Sequence, residues 1–238
     1  MYVRAATSFL QERCGYKTTS SIHTSSHPLL SRMKTTHLSL FFILFSIYTN
    51  SLLCTAAEQP SPVLDIDGNK VRAGVDYYIL PVIRGRGGGL MLATTGNDTC
   101  PHSVVQEQME VKNGLPLTFT PVNAKKGVVR ESTDQNIKFS AVSTCVQSTV
   151  WKLDYEESSG KYFITAGGVE GNPGRETISN WFKIEKHEGG DYKLVFCPTV
   201  CNYCKVICKD VGILVQDDGK RRLSLTDDAP FIVMFKKA

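Results

Sequence analysis

The chain has 238 residues, is 42% hydrophobic and 21% charged, and carries 19 Gly, 10 Pro and 8 Cys. That composition excludes a disordered, collagen-like or coiled-coil protein and leaves one globular domain or two small ones. Of the 27 Lys/Arg five lie in residues 1–57, against one of the 23 Asp/Glu, so residues 58–238 carry 22 of each and are neutral. Only Lys220-Arg221-Arg222 and Lys236-Lys237 approach a basic cluster, too little for phosphate neutralisation, and no nucleic-acid partner is expected.

Residues 1–32 are rich in Ser and Thr and show no periodicity. They read as a leader extension outside the fold, with translation expected to begin at Met33; a transit peptide is the alternative. Residues 33–57 have the three parts of a secretory signal in order. Met33-Lys34 supplies the basic start, Leu38 to Leu53 the apolar stretch, and Cys54-Thr55-Ala56-Ala57 the small residues of the cut. The apolar stretch is broken by Ser39, Ser46, Thr49, Asn50 and Ser51, short of the roughly 18 unbroken apolar residues of a membrane span. The expected protein is therefore residues 58–238, secreted from the cell or carried to a vacuole, with no membrane attachment after cleavage.

From Val63 the apolar residues come in short runs rich in Val, Ile, Tyr and Phe, divided by Gly, Pro, Asn and Asp. This predicts strands at 77–82, 103–106, 136–142, 150–155, 162–165, 181–185, 192–196, 213–216, 222–226 and 231–235, and no long helix. Asp218-Gly219 predicts a hairpin turn between the runs on either side. Ten or more strands in one undivided stretch give an all-β domain, closed as a barrel or stacked as a sandwich.

Enzyme signatures fail on residues their chemistry requires. Gly85-Arg86-Gly87-Gly88-Gly89-Leu90 lacks the last small residue of a dinucleotide fingerprint and reads as a mobile turn. Asp65-Ile66-Asp67-Gly68-Asn69 opens like a calcium loop, but its Gly is two positions early and Asp76 stands where Glu is needed, so a β-turn is expected. His102 and His187 are the histidines left after residue 57, with no nucleophile elbow or zinc-protease motif around them. No enzymatic activity, cofactor or metal is expected.

Six cysteines remain: Cys100, Cys145, Cys197, Cys201, Cys204 and Cys208. An even number on a secretory route favours three disulfides, although 15 pairings are open and the spacing of the last four also fits a zinc or iron–sulfur site in a reducing compartment. With all six paired no sulfur is spare for a covalent dimer, and a monomer is expected. Asn97-Asp98-Thr99 is a glycosylation acceptor at Asn97.

Several segments together resemble the plant Kunitz (soybean trypsin inhibitor) family. They are Val63-Leu-Asp65-Ile-Asp67-Gly68-Asn69-Lys-Val71 followed by Tyr77-Tyr78-Ile79, then Cys100-Pro101, Ser179-Asn-Trp181-Phe182-Lys-Ile184, Tyr192 through Pro198, and Arg221-Arg222-Leu-Ser-Leu. Gly168-Val-Glu-Gly-Asn-Pro-Gly174 and Cys197-Pro-Thr-Val-Cys201 are similar to the miraculin-like branch. The resemblance implies a β-trefoil of twelve strands with pseudo-threefold symmetry, six in a barrel and six in hairpins over one end. It implies the pairs Cys100–Cys145, Cys197–Cys208 and Cys201–Cys204.

It also implies a secreted inhibitor that blocks a serine endopeptidase, or a papain-like cysteine protease, by presenting one substrate-like loop. That loop falls at 120–126, in Thr120-Pro121-Val122-Asn123-Ala124-Lys125-Lys126, with Asn123 as the residue entering the specificity pocket and Ala124 after the scissile bond. Two positions depart from the pattern. Asn123 is neutral where trypsin's pocket carboxylate wants a cation, and Ala73 stands where the family usually has a loop-buttressing Asn. Weak or altered trypsin specificity follows, and the alternative is a non-inhibitory miraculin-like binding or storage protein on the same scaffold.

Overall fold

The computed structural model describes residues 59–95, 100, 102–123, 127–141 and 147–238. Among them are twelve strands: β1 (Tyr77–Pro81), β2 (Leu90–Ala93), β3 (Ser103–Gln106), β4 (Leu117–Pro121), β5 (Gln135–Phe139), β6 (Trp151–Glu156), β7 (Lys161–Ala166), β8 (Lys183–Lys186), β9 (Tyr192–Phe196), β10 (Lys209–Val215), β11 (Arg221–Thr226) and β12 (Ile232–Lys237). Period-two alternation marks several of them, β1, β2 and β4 among these. In β4, Leu117, Phe119 and Pro121 point inward while Thr118 and Thr120 stay half-exposed.

Two closed circuits of antiparallel pairing organise the strands. In the first, β1 pairs with β4 and β12, β4 with β5, and β9 with β8 and β12. A bridge between Gln135 at the start of β5 and Phe182 beside β8 completes the ring, so these six strands leave no free edge. The second circuit joins three hairpins, β2–β3, β6–β7 and β10–β11. Ser103 pairs with Thr165, Phe163 with Ser224, and Arg222 with Val105, each hairpin thus touching the other two. A six-stranded barrel capped by a triangle of hairpins is the β-trefoil.

The barrel is filled by aromatic side chains from every limb. Phe119 and Phe235 meet edge to face at 5.6 Å, as do Trp151 and Phe182 at 5.9 Å and Phe182 and Phe196 at 5.5 Å. Such contacts stabilise beyond the area they bury, by about 0.5–1.5 kcal/mol a pair.

Only the start of the glycine run is the expected turn, exposed at Arg84-Gly85 with Gly85 at φ 74°; from Gly87 the run is packed. Gly87, Gly88 and Gly89 are buried, with Gly88 donating to the Glu107 carbonyl and Gly89 to that of Lys112. A Cβ on Gly89 would stand 1.9 Å from the Asn113 carbonyl oxygen. The missing side chains let two backbones pack directly against each other. The Asp65 segment is the expected turn: its Oδ1 accepts the N–H groups of Asp67 and Asn69, and Gly68 sits at φ 79°.

One charge is buried in the hairpin layer. Arg222 lies with its guanidinium carbon 3.6 Å from the Phe163 ring centre and donates Nη1 to Glu156 at 2.9 Å. The hydrogen bonds from Arg222 and then Ser159 hold the Glu156 carboxyl below its ordinary range. A carboxylate whose pKa is depressed by folding stabilises fully above its unfolded pKa, and that contribution fades as pH falls through the folded value. Breaking a buried pair costs about 3–5 kcal/mol, but Glu156 is 36% exposed and screened, so Glu156→Gln is expected to cost about 1–2 kcal/mol at pH 7. In urea titrations the gap from the wild type should close once the pH has dropped below the carboxylate range.

Candidate functional site

At the end of β4 the chain leaves the barrel. Pro121 is the last buried side chain; Val122 is 42% exposed and Asn123 is exposed. Proline suits that last strand position because it restricts φ and gives up no ladder hydrogen bond where the ladder is ending. Ala124, Lys125 and Lys126, the rest of the expected loop, lie outside the described residues.

Both limbs of this loop are tied to the body. On the outgoing limb, Pro121 pairs with Gln135, and Val122 donates its N–H to the Asp134 carbonyl at 2.8 Å. On the returning limb, Val128 bridges to Arg72, and Val129 donates to the Val71 carbonyl at 2.9 Å. The turn Arg72-Ala73-Gly74-Val75 spans the two: Ala73 donates to the Gly127 carbonyl and Gly74 to that of Phe119, each at 3.2 Å. Gly74 takes φ 71°, the left-handed value that glycine accepts freely at the third position of such a turn. Ala73 thus stands at the mouth of the loop, and its methyl group offers no hydrogen bond.

Side-chain support comes from elsewhere. Asp134, buried, accepts at Oδ2 the N–H of Thr199 at 2.9 Å and its hydroxyl at 2.5 Å, while Oδ1 lies 3.9 Å from the Lys183 ammonium. Thr199 belongs to the segment between Cys197 and Cys201. Across the stem, Thr120 donates its hydroxyl to Glu170 Oε1 at 2.5 Å, and Lys138 donates to Oε2 at 2.7 Å. Burial pushes the Glu170 carboxyl up, yet the hydrogen bonds from Lys138 and Thr120 and the charge of Lys138 outweigh it and hold the group below its ordinary range. Sequence reasoning gave Asp134, Glu170 and Thr199 no role; Glu170 and Thr199 lie in the 168–174 and 197–201 segments already noted, and nothing local marked Asp134.

The cysteine cluster is occupied in disulfides, Cys197 with Cys208 and Cys201 with Cys204, at Cα separations of 4.3 and 5.5 Å. No thiolate of that cluster is left to ligate a metal. Cys100 is also disulfide-bonded. Cys145 and Asn97 lie outside the described residues. His102 and His187 are half-buried, and His102 Nδ1 is 3.1 Å from the Cys100 carbonyl oxygen. A cavity of about 380 Å³ lined by Pro81, Ile83, Ile213, Arg221 and Phe231 opens at the Pro81 end of β1, whereas the loop stands at its Tyr77 end.

Residues 63–237 match the model of the legume Kunitz family, described as trypsin and protease inhibitor. The chain belongs to the plant Kunitz family. Miraculin of Synsepalum dulcificum is 57% identical over 209 residues, 84% of this chain and 94% of that protein. Kunitz trypsin inhibitor 5 of Arabidopsis thaliana is 52% identical over 198 residues, 83% of this chain and 96% of that one. Soybean trypsin inhibitor, in its complex with porcine pancreatic trypsin, superposes with a TM-score of 0.62 at 31% identity, over 74% of this chain and 99% of its own. This Kunitz chain therefore carries the family's protease-inhibitor scaffold. Inhibition on such a scaffold needs no catalytic group of its own, only a loop whose shape is already that of a bound substrate.

Proposed function

We propose that the protein is a secreted inhibitor that blocks an endopeptidase by inserting residues 120–126 as a substrate would, with Asn123 presented to the specificity pocket and Ala124 following the scissile bond. The supporting observation is an exposed Val122-Asn123 pair on a stem whose two limbs are both hydrogen-bonded to the barrel. A loop held in this way loses little conformational freedom on docking, and after cleavage its ends stay together for religation. Targets are serine endopeptidases, as for the soybean inhibitor that binds trypsin, with a papain-like cysteine protease as the other candidate. Residues 33–57 export the chain and are removed, Cys100 and Cys145 form the third disulfide, and Asn97 carries a glycan; the product is a monomer.

A second reading is favoured by Ala73 and Asn123 together: a miraculin-like binding or storage protein that kept the scaffold without the inhibition. Titration of the oxidised, secreted protein against trypsin, chymotrypsin and papain separates the two. The expected result is weak inhibition of trypsin and measurable inhibition of at least one of the three. Silence toward all of them, repeated with a cationic residue at 123, would favour the second reading.

A further inference from the structure

The support that Ala73 cannot give has a candidate source on the opposite side of the stem. In the β4–β5 register Thr120 faces Asn136. Asn136 is buried; its Oδ1 accepts the Gly171 N–H at 2.7 Å and its Nδ2 donates to the Asn180 carbonyl at 2.8 Å. Asn180 in turn donates to the Val169 carbonyl at 3.2 Å. The main chain is therefore held on both sides of Glu170, at Gly171 directly by Asn136 of β5 and at Val169 through Asn180, which Asn136 also engages. From that fixed base the Glu170 carboxylate spans two strands, taking Thr120 on β4 with one oxygen and Lys138 on β5 with the other. Thr120 is three residues before Asn123, within about 10 Å of extended chain.

We infer that Glu170 is a positioning residue of the inhibitory loop: clamped between Thr120 and Lys138, it fixes the strand end that leads into Val122 and Asn123 and replaces the side-chain support absent at Ala73. This rests on the inhibitory reading above. Main-chain bonds from the turn at 72–75 fix where the two limbs stand. The Thr120 hydroxyl adds what they lack, an orientation for the outgoing limb immediately before the exposed residues. Glu170 and Lys138 are about one-third exposed, so the pair contributes little to global stability. Its effect falls on loop rigidity, which enters affinity directly because a looser loop must be ordered on docking.

The test uses the full secreted protein in an Asn123→Arg background, with trypsin as the probe. Glu170→Ala is expected to raise the inhibition constant about 5- to 20-fold and to speed cleavage after residue 123, while the thermal midpoint moves by no more than about 2 °C. Glu170→Gln, which keeps an acceptor for Thr120, should recover a large part of the loss. Thr120→Val should behave like Glu170→Ala, and the double variant should be no worse than either alone, as for two halves of one contact. If the Asn123→Arg protein inhibits trypsin and Glu170→Ala changes neither affinity nor cleavage rate, the clamp is overturned and the inhibitory reading stands. Should the Asn123→Arg protein bind none of trypsin, chymotrypsin and papain, the inhibitory reading falls and takes the clamp with it. Additive losses in the double variant would show that Thr120 acts on the protease directly, and would overturn the clamp as well.

Discussion

Replacing Asn123 by Arg is expected to tighten binding to trypsin by about 30-fold to several-thousand-fold. Trypsin's specificity pocket ends in a buried carboxylate. With a neutral side chain in the pocket that carboxylate is desolvated without a partner, a loss of about 2–5 kcal/mol in binding, and a guanidinium restores the pairing. The protein itself should barely notice, because Asn123 is exposed; surface substitutions of this kind stay within about 0.5 kcal/mol of stability. The inhibition constant for trypsin and the mass of the fragments produced on long incubation check the prediction together. Tight binding with slow cleavage between 123 and 124 places the register as assigned. A gain too small to measure, with cleavage after 125 or 126, would move the pocket residue to one of the lysines. Adding Ala73→Asn should then improve the binding further, since position 73 stands between the two limbs and an amide there can reach main-chain groups that the methyl cannot.

The strands were legible where the chain alternates locally. Asp218-Gly219 announced the β10–β11 hairpin, and the structure closes it with Gly219, at φ 81°, donating to the Gln216 carbonyl. Two strands escaped. β2 is four residues long and follows a glycine run, and β4 alternates hydrophobic residues with threonines before ending in a proline. β2 takes its strand character from its partners in the sheet, whereas β4 carries the period-two signal itself, between Pro116 and Pro121, which read as breakers. The choice of trefoil over sandwich was out of reach for periodicity, because it depends on closures such as Gln135 with Phe182 and Ser103 with Thr165. Those contacts link residues dozens of positions apart, and only the family resemblance supplied them.

The candidate site divides in the same way. Pro121, Val122 and Asn123 could be placed by resemblance, and the structure puts them at the exposed end of β4. Of the groups that hold them, Thr120 lies in the expected loop and Glu170 and Thr199 in the quoted segments, but a supporting role was legible in none of them. Thr120 and Glu170 are separated by 50 positions, and Asp134 and Thr199 by 65. What makes them supports is the fold that brings them together. A buried carboxylate accepting a main-chain N–H is a property of position, and no local motif encodes it.

Asp134 is where loop support and fold stability meet, and Asp134→Ala is expected to destabilise the protein by about 2–4 kcal/mol. Three consequences add. The Thr199 N–H and hydroxyl lose their acceptor, the mostly buried Lys183 ammonium loses the carboxylate 3.9 Å away, and a buried site becomes partly empty. Thr199 is itself exposed and can turn to water, which keeps the cost below the top of the range for a broken buried pair. Asp134→Asn separates the contributions. Its carbonyl oxygen can still accept from Thr199, but its charge no longer faces Lys183, so it should recover roughly half of the lost stability in urea titrations. The loop should respond too, because the main chain of Asp134 accepts the Val122 N–H, and its freedom rises once the side chain is no longer anchored to the Cys197–Cys201 segment. In the Asn123→Arg background, Asp134→Ala should therefore weaken trypsin inhibition and hasten cleavage after residue 123, even well below the unfolding midpoint. Unchanged stability in Asp134→Ala would mean that Lys183 and Thr199 find water at no cost, and the anchor between the loop stem and the cysteine cluster would be discarded.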